Sequence, residues 1–201
     1  CTQPLEGTCF PVGQGPTKFI FVGSLSYRKA PMALSCSLAS CLRKDNKFNG
    51  ILTYVGDGVL RTQLEKYIED NDLQDHVVMA GFQSQSEVPM LMQKNDILVL
   101  PSIYDGWGAV INEALQAGLY VVCSDACGAA DLLNDDKLGK VFHSGDENEL
   151  SDIMLWCYDN ISVIRNNVNW RKQWADEHIN GLVLAKYMVD CLCGESTNLL
   201  Y

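Results

Sequence analysis

The sequence predicts an α/β fold in which a parallel β-sheet carries helices on both faces. Three observations carry that prediction. Several short runs are apolar throughout rather than alternating, stretches with helical spacing separate them, and most of the runs stop at a glycine or a proline. A strand that is apolar on both sides must be buried on both sides, which a helix-covered parallel sheet achieves.

The elements follow in order. Residues 1–17, rich in Gly, Pro and Thr, read as a linker or tail, and 18–201 as one domain that includes the C-terminal helices. Lys18–Val22 (KFIFV) reads as a strand ending at Gly23, and Pro31–Lys44 as a helix with small and apolar residues at helical spacing. Ile51–Val55 (ILTYV) is a strand that runs into Gly56-Asp57-Gly58, and Leu60–Glu69 is an amphipathic helix. Val77–Ala80 is a strand, Ser86–Gln93 a short helix, and Ile97–Leu100 (ILVL) a strand stopped by Pro101. The helix at Ala109–Ala117 ends at Gly118, as a left-handed cap requires. Tyr120–Ser124 and Lys140–Phe142 are the last two strands, and Glu147 to Cys193 reads as helices. Neither an internal repeat nor a low-complexity tract interrupts the pattern.

Composition narrows the function. At 201 residues, length favours one large domain over two small ones, and 47% hydrophobic residues suffice for a sizeable core. A net charge of −10 and a pI near 4.6 argue against a nucleic-acid or anionic-membrane surface, because the acidic field repels phosphates. A phosphate ligand must therefore be held locally, by a few cations and backbone amides. Nine cysteines, an odd number scattered through apolar runs, are expected as small buried thiols in a reducing compartment. Cys191-Leu192-Cys193 has no second pair and no nearby histidine, so it predicts no metal site. No apolar run is long enough to span a membrane and no signal peptide opens the chain. A first residue of Cys rather than Met is expected of a chain cut from a longer protein.

Ligands of such sheets bind beyond the carboxyl ends of the strands. The unusual loops lie there: Gly23–Lys29, Gly56–Gly58, Gly81–Gln85 and Ser102–Gly108. In the stretch DGWGAVINE, two acids, Asp105 and Glu113, are separated by seven residues. Gly106 and Gly108 let the loop bring its backbone close to a ligand, and the helix starting at Ala109 points free amides at it, which favours phosphate. Glu113 is expected to be at least partly buried, one turn from Val110 and from Ala117. Two readings stand for it: a bond to a neighbouring strand, or an acceptor for the hydroxyls of a ribose diol. Asp105 is either an ordinary helix cap or a ligand-binding carboxylate.

These residues have a family likeness. FVGSLSYRKA (21–30), YVGDGVLRTQLE (54–65), VVMAGFQSQSEV (77–88), the run 95–125, GAADLL (128–133) and GKVFHSGD (139–146) occur in order. Together they resemble the C-terminal, donor-binding half of retaining glycosyltransferases of the GT-B fold, in particular family 4 (glycosyl transferases group 1). The resemblance implies a Rossmann-like nucleotide-sugar-binding domain over 18–201, with the N-terminal acceptor domain absent from the chain. It implies transfer of a sugar, in the hexosyltransferase class, from a UDP-sugar or GDP-sugar to a glycan, lipid-linked or other acceptor held mainly by that other domain. It further implies a role in cell-surface glycan or glycoconjugate synthesis, inactivity of this half alone, and no metal or other cofactor. The place implied is the cytoplasm, or the periphery of the inner membrane through the other half, with no membrane contact made by this one.

Carried over residue by residue, the resemblance gives Glu113 the ribose hydroxyls and Asp105 a hydroxyl of the transferred sugar. The amides of Gly106, Trp107, Gly108, Ala109 and Val110 meet sugar and diphosphate. Phe82 and Gln83 hold the base through main-chain groups, and Lys29, in the loop with Gly23, Ser24 and Arg28, neutralises the leaving diphosphate. Lys29 and Asp105 are the residues it implies for catalysis. Two departures stand out. The family pattern Arg-Leu-Ser-x-x-Lys-Gly has an arginine where this chain has Ser24, while Arg28 stands beside Lys29. Asp105 also replaces the usual glutamate, one methylene longer. These departures keep an alternative open, a catalytically degenerate nucleotide-sugar-binding or scaffold protein of the same fold. A Rossmann dinucleotide enzyme is disfavoured, because the first strand leads into GSLSYRK rather than a Gly-x-Gly-x-x-Gly turn.

The remaining polar residues have bland readings. His76, His143 and His178 lack ligand-like spacing and are expected as surface or hydrogen-bonded histidines. Glu65, Glu69 and Asp70 read as a solvated helix face, and Trp170 and Trp174, one turn apart, as packing.

Overall fold

The structure, a computed structural model, describes residues 15–179. Residues 1–14 of the expected tail, the end of the predicted C-terminal helical stretch and Cys191-Leu192-Cys193 lie outside the described residues.

Six strands form one parallel sheet: β1 (Thr17–Val22), β2 (Gly50–Val55), β3 (Val77–Gly81), β4 (Ile97–Leu100), β5 (Tyr120–Ser124) and β6 (Gly139–Phe142), in the order β3-β2-β1-β4-β5-β6. Seven helices connect and cover them: α1 (Pro31–Lys44), α2 (Arg61–Asp70), α3 (Val88–Met92), α4 (Ala109–Ala117), α5 (Glu147–Asp159), α6 (Ile161–Asn166) and α7 (Val168–His178). The predicted α/β fold is therefore observed, with element ends displaced by one or two residues in places. β1 begins at Thr17, one residue inside the stretch expected as linker, because Thr17 pairs with Gly50 and is buried. Two single-turn 3-10 helices, Tyr27–Lys29 and Gly128–Leu132, had no periodic signature to announce them.

The apolar strands feed two separate cores. Phe19 and Phe21 of β1 point to one face, with Leu34 and Leu38 of α1, Leu64 of α2 and Met154 of α5. Ile20, between them, points to the other, with Ile111 and Leu115 of α4 and Ala175 of α7. This double burial is why β4 is apolar along its whole length and why β1 and β5 carry the apolar runs Phe19–Val22 and Tyr120–Cys123. The phenol of Tyr54, buried in the first core, donates to Pro31 O at 2.8 Å and lies 2.8 Å from Ser35 Oγ, so its polar end is satisfied.

The far end of the sheet is pinned by charge. Arg165 forks onto Asp96, Nε to Oδ1 at 2.9 Å and Nη2 to Oδ2 at 2.8 Å, and the same carboxylate accepts the Lys18 amide. Arg171 has no solvent exposure and donates to Gly118 O, Lys137 O and Ile164 O at 2.8, 3.1 and 2.6 Å, so it ties α4, α6 and the β6 approach together. Burial lowers its guanidinium to about 10 from the ordinary arginine value.

The strand order reverses between β1 and β4. At such a switch point the loops leaving the two strands diverge to opposite faces and open a crevice, which is where ligands of open α/β sheets bind. The loops concerned are Gly23–Lys29 and Ser102–Gly108.

Candidate active site

The crevice is built from backbone contacts that only glycine allows. Gly56 has φ +132°, and a Cβ there would stand 2.0 Å from Gly23 O; one at Gly58 would stand 2.5 Å from Leu25 O. The loops after β1 and β2 are thereby pressed together and joined by Leu25 N to Asp57 O at 2.9 Å and Leu60 N to Leu25 O at 3.0 Å. Across the switch point, Ile103 N donates to Arg28 O at 2.8 Å, which fastens the β4 loop to the β1 loop.

A second seam holds the Asp105 loop from behind. Asp105 N donates to Ala126 O, Gly128 N to Asp105 O and Ala129 N to Trp107 O, at 3.0, 3.0 and 2.7 Å. A Cβ on Gly128 would stand 2.2 Å from Gly106 O, so this approach requires glycine. Gly128 is a site-building residue to which sequence reasoning gave no role; its one signal was its place in GAADLL. Behind the seam, a hydrogen bond to Cys127 and then burial push the Cys123 thiol far above its ordinary range, so it offers no nucleophile at neutral pH. Cys41, Cys123, Cys127 and Cys157 are buried free thiols, as expected of these positions.

The structure brings the expected site residues to one edge. Lys29 Nζ donates to Asp105 Oδ2, with the side chains 13% and 11% exposed, so two residues far apart in sequence form one buried ion pair at the switch point. Gly108, with φ +81°, turns the chain into α4. Among the described residues the amides of Trp107, Gly108, Ala109 and Val110 donate no hydrogen bond, so the positive end of α4 is free to meet an anion. Arg28 is exposed and its guanidinium has no partner among the described residues, while the Ser24 hydroxyl lies 3.1 Å from Ser26 Oγ. Ala30, where the family pattern has glycine, sits in the left-handed region at φ 47°.

Glu113 departs from expectation. It is exposed rather than partly buried and has no hydrogen-bond partner among the described residues. The buried stripe of α4 is Ile111, Ala114 and Leu115, and Val110 and Ala117, on which the expectation rested, are themselves only half-buried. Glu113 therefore sits on the rim of the helix, without the desolvation that burial would impose.

At the β3 loop, Phe82 is 80% exposed and Gln83 Nε2 donates back to Ala80 O at 2.8 Å. Tyr27, Ile103, Tyr104 and Trp107 are exposed as well, and a cavity of about 430 Å³ is lined by Trp107, Gly128, Asp131 and Leu132. Large apolar side chains thus ring the carboxyl edge of the sheet. The three histidines are engaged elsewhere: His76 with Gly50 O, His143 with Glu149 and His178 with Trp174 O, each at 2.8–2.9 Å.

Comparisons with known proteins agree with this geometry. The family model described as glycosyl transferases group 1 matches residues 10–174. Over 148 residues the chain is 30% identical to the amylovoran biosynthesis glycosyltransferase AmsK of Erwinia amylovora, a match covering 70% of this chain and 35% of that protein. The crystal structure of Alr3699/HepE of Anabaena in complex with UDP is similar at a TM-score of 0.76 and 23% identity, over 90% of this chain and 49% of that one. The C-terminal domain of a glycosyl transferase group 1 family protein (LpcC) from Francisella tularensis is similar at a TM-score of 0.69 and 16% identity, over 79% of this chain and 84% of that one. The chain spans about a third of AmsK and half of HepE.

Proposed function

Because this chain belongs to the glycosyl transferases group 1 family, we propose that it is the donor-binding half of a retaining glycosyltransferase, acting in cell-surface glycan or glycoconjugate synthesis. The observation that carries the reading is the convergence of Lys29, Asp105 and the free amides of α4 on the sheet's switch point. That arrangement suits a nucleoside diphosphate bearing a sugar. The UDP present in the HepE complex and the isolated C-terminal domain of LpcC lend it support.

In this reading the diphosphate lies against the start of α4, with Lys29 and Arg28 beside it and the base at Phe82–Gln83. Glu113 accepts hydrogen bonds from the ribose diol; its exposed, unpartnered carboxylate suits that task. The acceptor hydroxyl forms a bond to the anomeric carbon as the bond from that carbon to the phosphate oxygen breaks. The departing phosphate oxygen takes the hydroxyl's proton. Negative charge grows on the leaving diphosphate, and preoriented amides and cations stabilise it there without needing a metal. In this reading the acceptor, whether glycan or lipid-linked, is held mainly by the other half, and the protein works in the cytoplasm or at the inner face of a membrane.

Glu113→Gln tests the reading. It should weaken a free nucleoside diphosphate and the corresponding nucleotide sugar alike, since both carry the diol. Unchanged affinity for both would remove Glu113 from the site. Ser24 in place of arginine and the engagement of Lys29 by Asp105 favour a second reading, a degenerate binding or scaffold protein. Sugar transfer by the longer protein would eliminate it.

A further inference from the structure

The family resemblance implies separate tasks for Lys29 and Asp105, one toward diphosphate and the other toward sugar. On that division, altering Asp105 leaves the affinity for a free nucleotide untouched. The structure couples the two: the Lys29 ammonium is engaged by the Asp105 carboxylate, and both side chains are nearly buried. A pair so placed is screened little by salt and water. An anion that takes Lys29 must draw it from Asp105 and leave that carboxylate uncompensated beside its own charge. Ser24 brings no charge, and the Arg28 guanidinium, exposed, is not paired with the Asp105 carboxylate.

We propose that Asp105 is a specificity residue that makes this site favour the sugar-bearing donor over the bare nucleoside diphosphate left after transfer. The inference rests on the nucleotide-sugar reading above. Sugar hydroxyls donate hydrogen bonds to Asp105 and compensate it while Lys29 turns to the diphosphate. A bare diphosphate has no donor to offer at that position and meets a carboxylate that both repels it and holds its cation. The same pair thereby speeds departure of the product.

Calorimetric titration of the 201-residue chain with UDP, GDP, UDP-glucose and inorganic pyrophosphate at low ionic strength tests the proposal. Asp105→Asn should bind UDP and pyrophosphate roughly tenfold tighter, the size of one charge-assisted contact regained. The gain for UDP should exceed that for UDP-glucose. Asp105→Ala serves as a second variant, with thermal unfolding recorded for each. If the parent chain binds UDP and neither Asp105 variant binds it more tightly, the proposal is overturned while the site stands. Equal gains for UDP and UDP-glucose overturn the discrimination. If neither the parent nor any variant binds UDP or GDP, the nucleotide-sugar reading itself falls and takes this inference with it.

Discussion

Gly128→Ala should damage the site from behind, through the backbone of Gly106 and Trp107. The new Cβ would stand 2.2 Å from Gly106 O, 3.1 Å from Gly106 C and 3.2 Å from Trp107 Cα, all backbone atoms that cannot rotate away. An ordinary contact needs about 3.4 Å or more, so the Asp105–Gly108 loop must retreat by roughly 1 Å. That retreat breaks or stretches Gly128 N to Asp105 O and Ala129 N to Trp107 O. At about 1 kcal/mol each, losing the two bonds costs about 2 kcal/mol, or a fall in Tm of roughly 4–8 °C for a chain of this size. On the proposed function, a 1 Å misplacement of the groups around the reacting sugar should lower turnover by about 100-fold. Gly145→Ala is the control: it has φ +86° and no atom within 4 Å, so it carries only a backbone penalty of about 1 kcal/mol. The assays are thermal unfolding and calorimetric titration with UDP and GDP. A Gly128→Ala variant with the Tm and nucleotide affinity of the parent would refute the reasoning.

Three further outcomes are expected. Arg28→Ala should weaken nucleoside diphosphate roughly tenfold or more while Ser24→Ala barely matters, if Arg28 supplies the guanidinium that Ser24 lacks; equal affinity of Arg28→Ala and the parent would rule that compensation out. Arg171→Ala should destabilise by about 3–5 kcal/mol in denaturant unfolding, because it empties a buried position and removes three charge-assisted hydrogen bonds, leaving Gly118 O and Lys137 O without that donor; a loss below about 1 kcal/mol would mean that water replaces the guanidinium. His143 should titrate above the ordinary histidine value by NMR, since the hydrogen bond to Glu149 and its charge raise it, and return toward that value in Glu149→Gln. A histidine raised in the folded state adds stability that is full below its unfolded pKa and is lost as pH rises through the folded one, so the pair should support the fold in mild acid.

The order of strands and helices could be read from the sequence because most strands contain a run that is apolar on both faces and several strands stop at a glycine or proline. KFIFV and ILVL admit few other readings. The placement of the site at the carboxyl edge followed from that order. What the sequence could not supply were contacts between distant residues. Nothing local marks Lys29 as the partner of Asp105, or Gly128 as the seat of Gly106, since each depends on how the loops after β1, β4 and β5 meet. Arg171 lies in a polar run, RKQWADEH, that reads as solvated, yet it is buried because three carbonyls from other segments converge on it. Glu113 was misjudged for a related reason. Its helical neighbours Val110 and Ala117 are apolar, but they lie at the margin of the buried stripe rather than on it.

The account stands on the claim that the crevice between the β1 and β4 loops is a nucleoside-diphosphate site served by Lys29 and the α4 amides. Calorimetric titration of this chain with UDP and GDP, with and without a chelator, tests that most directly. The account predicts saturable binding of at least one of them, with an affinity that the chelator leaves unchanged. Undetectable binding of both at millimolar ligand, or binding abolished by the chelator, would contradict it.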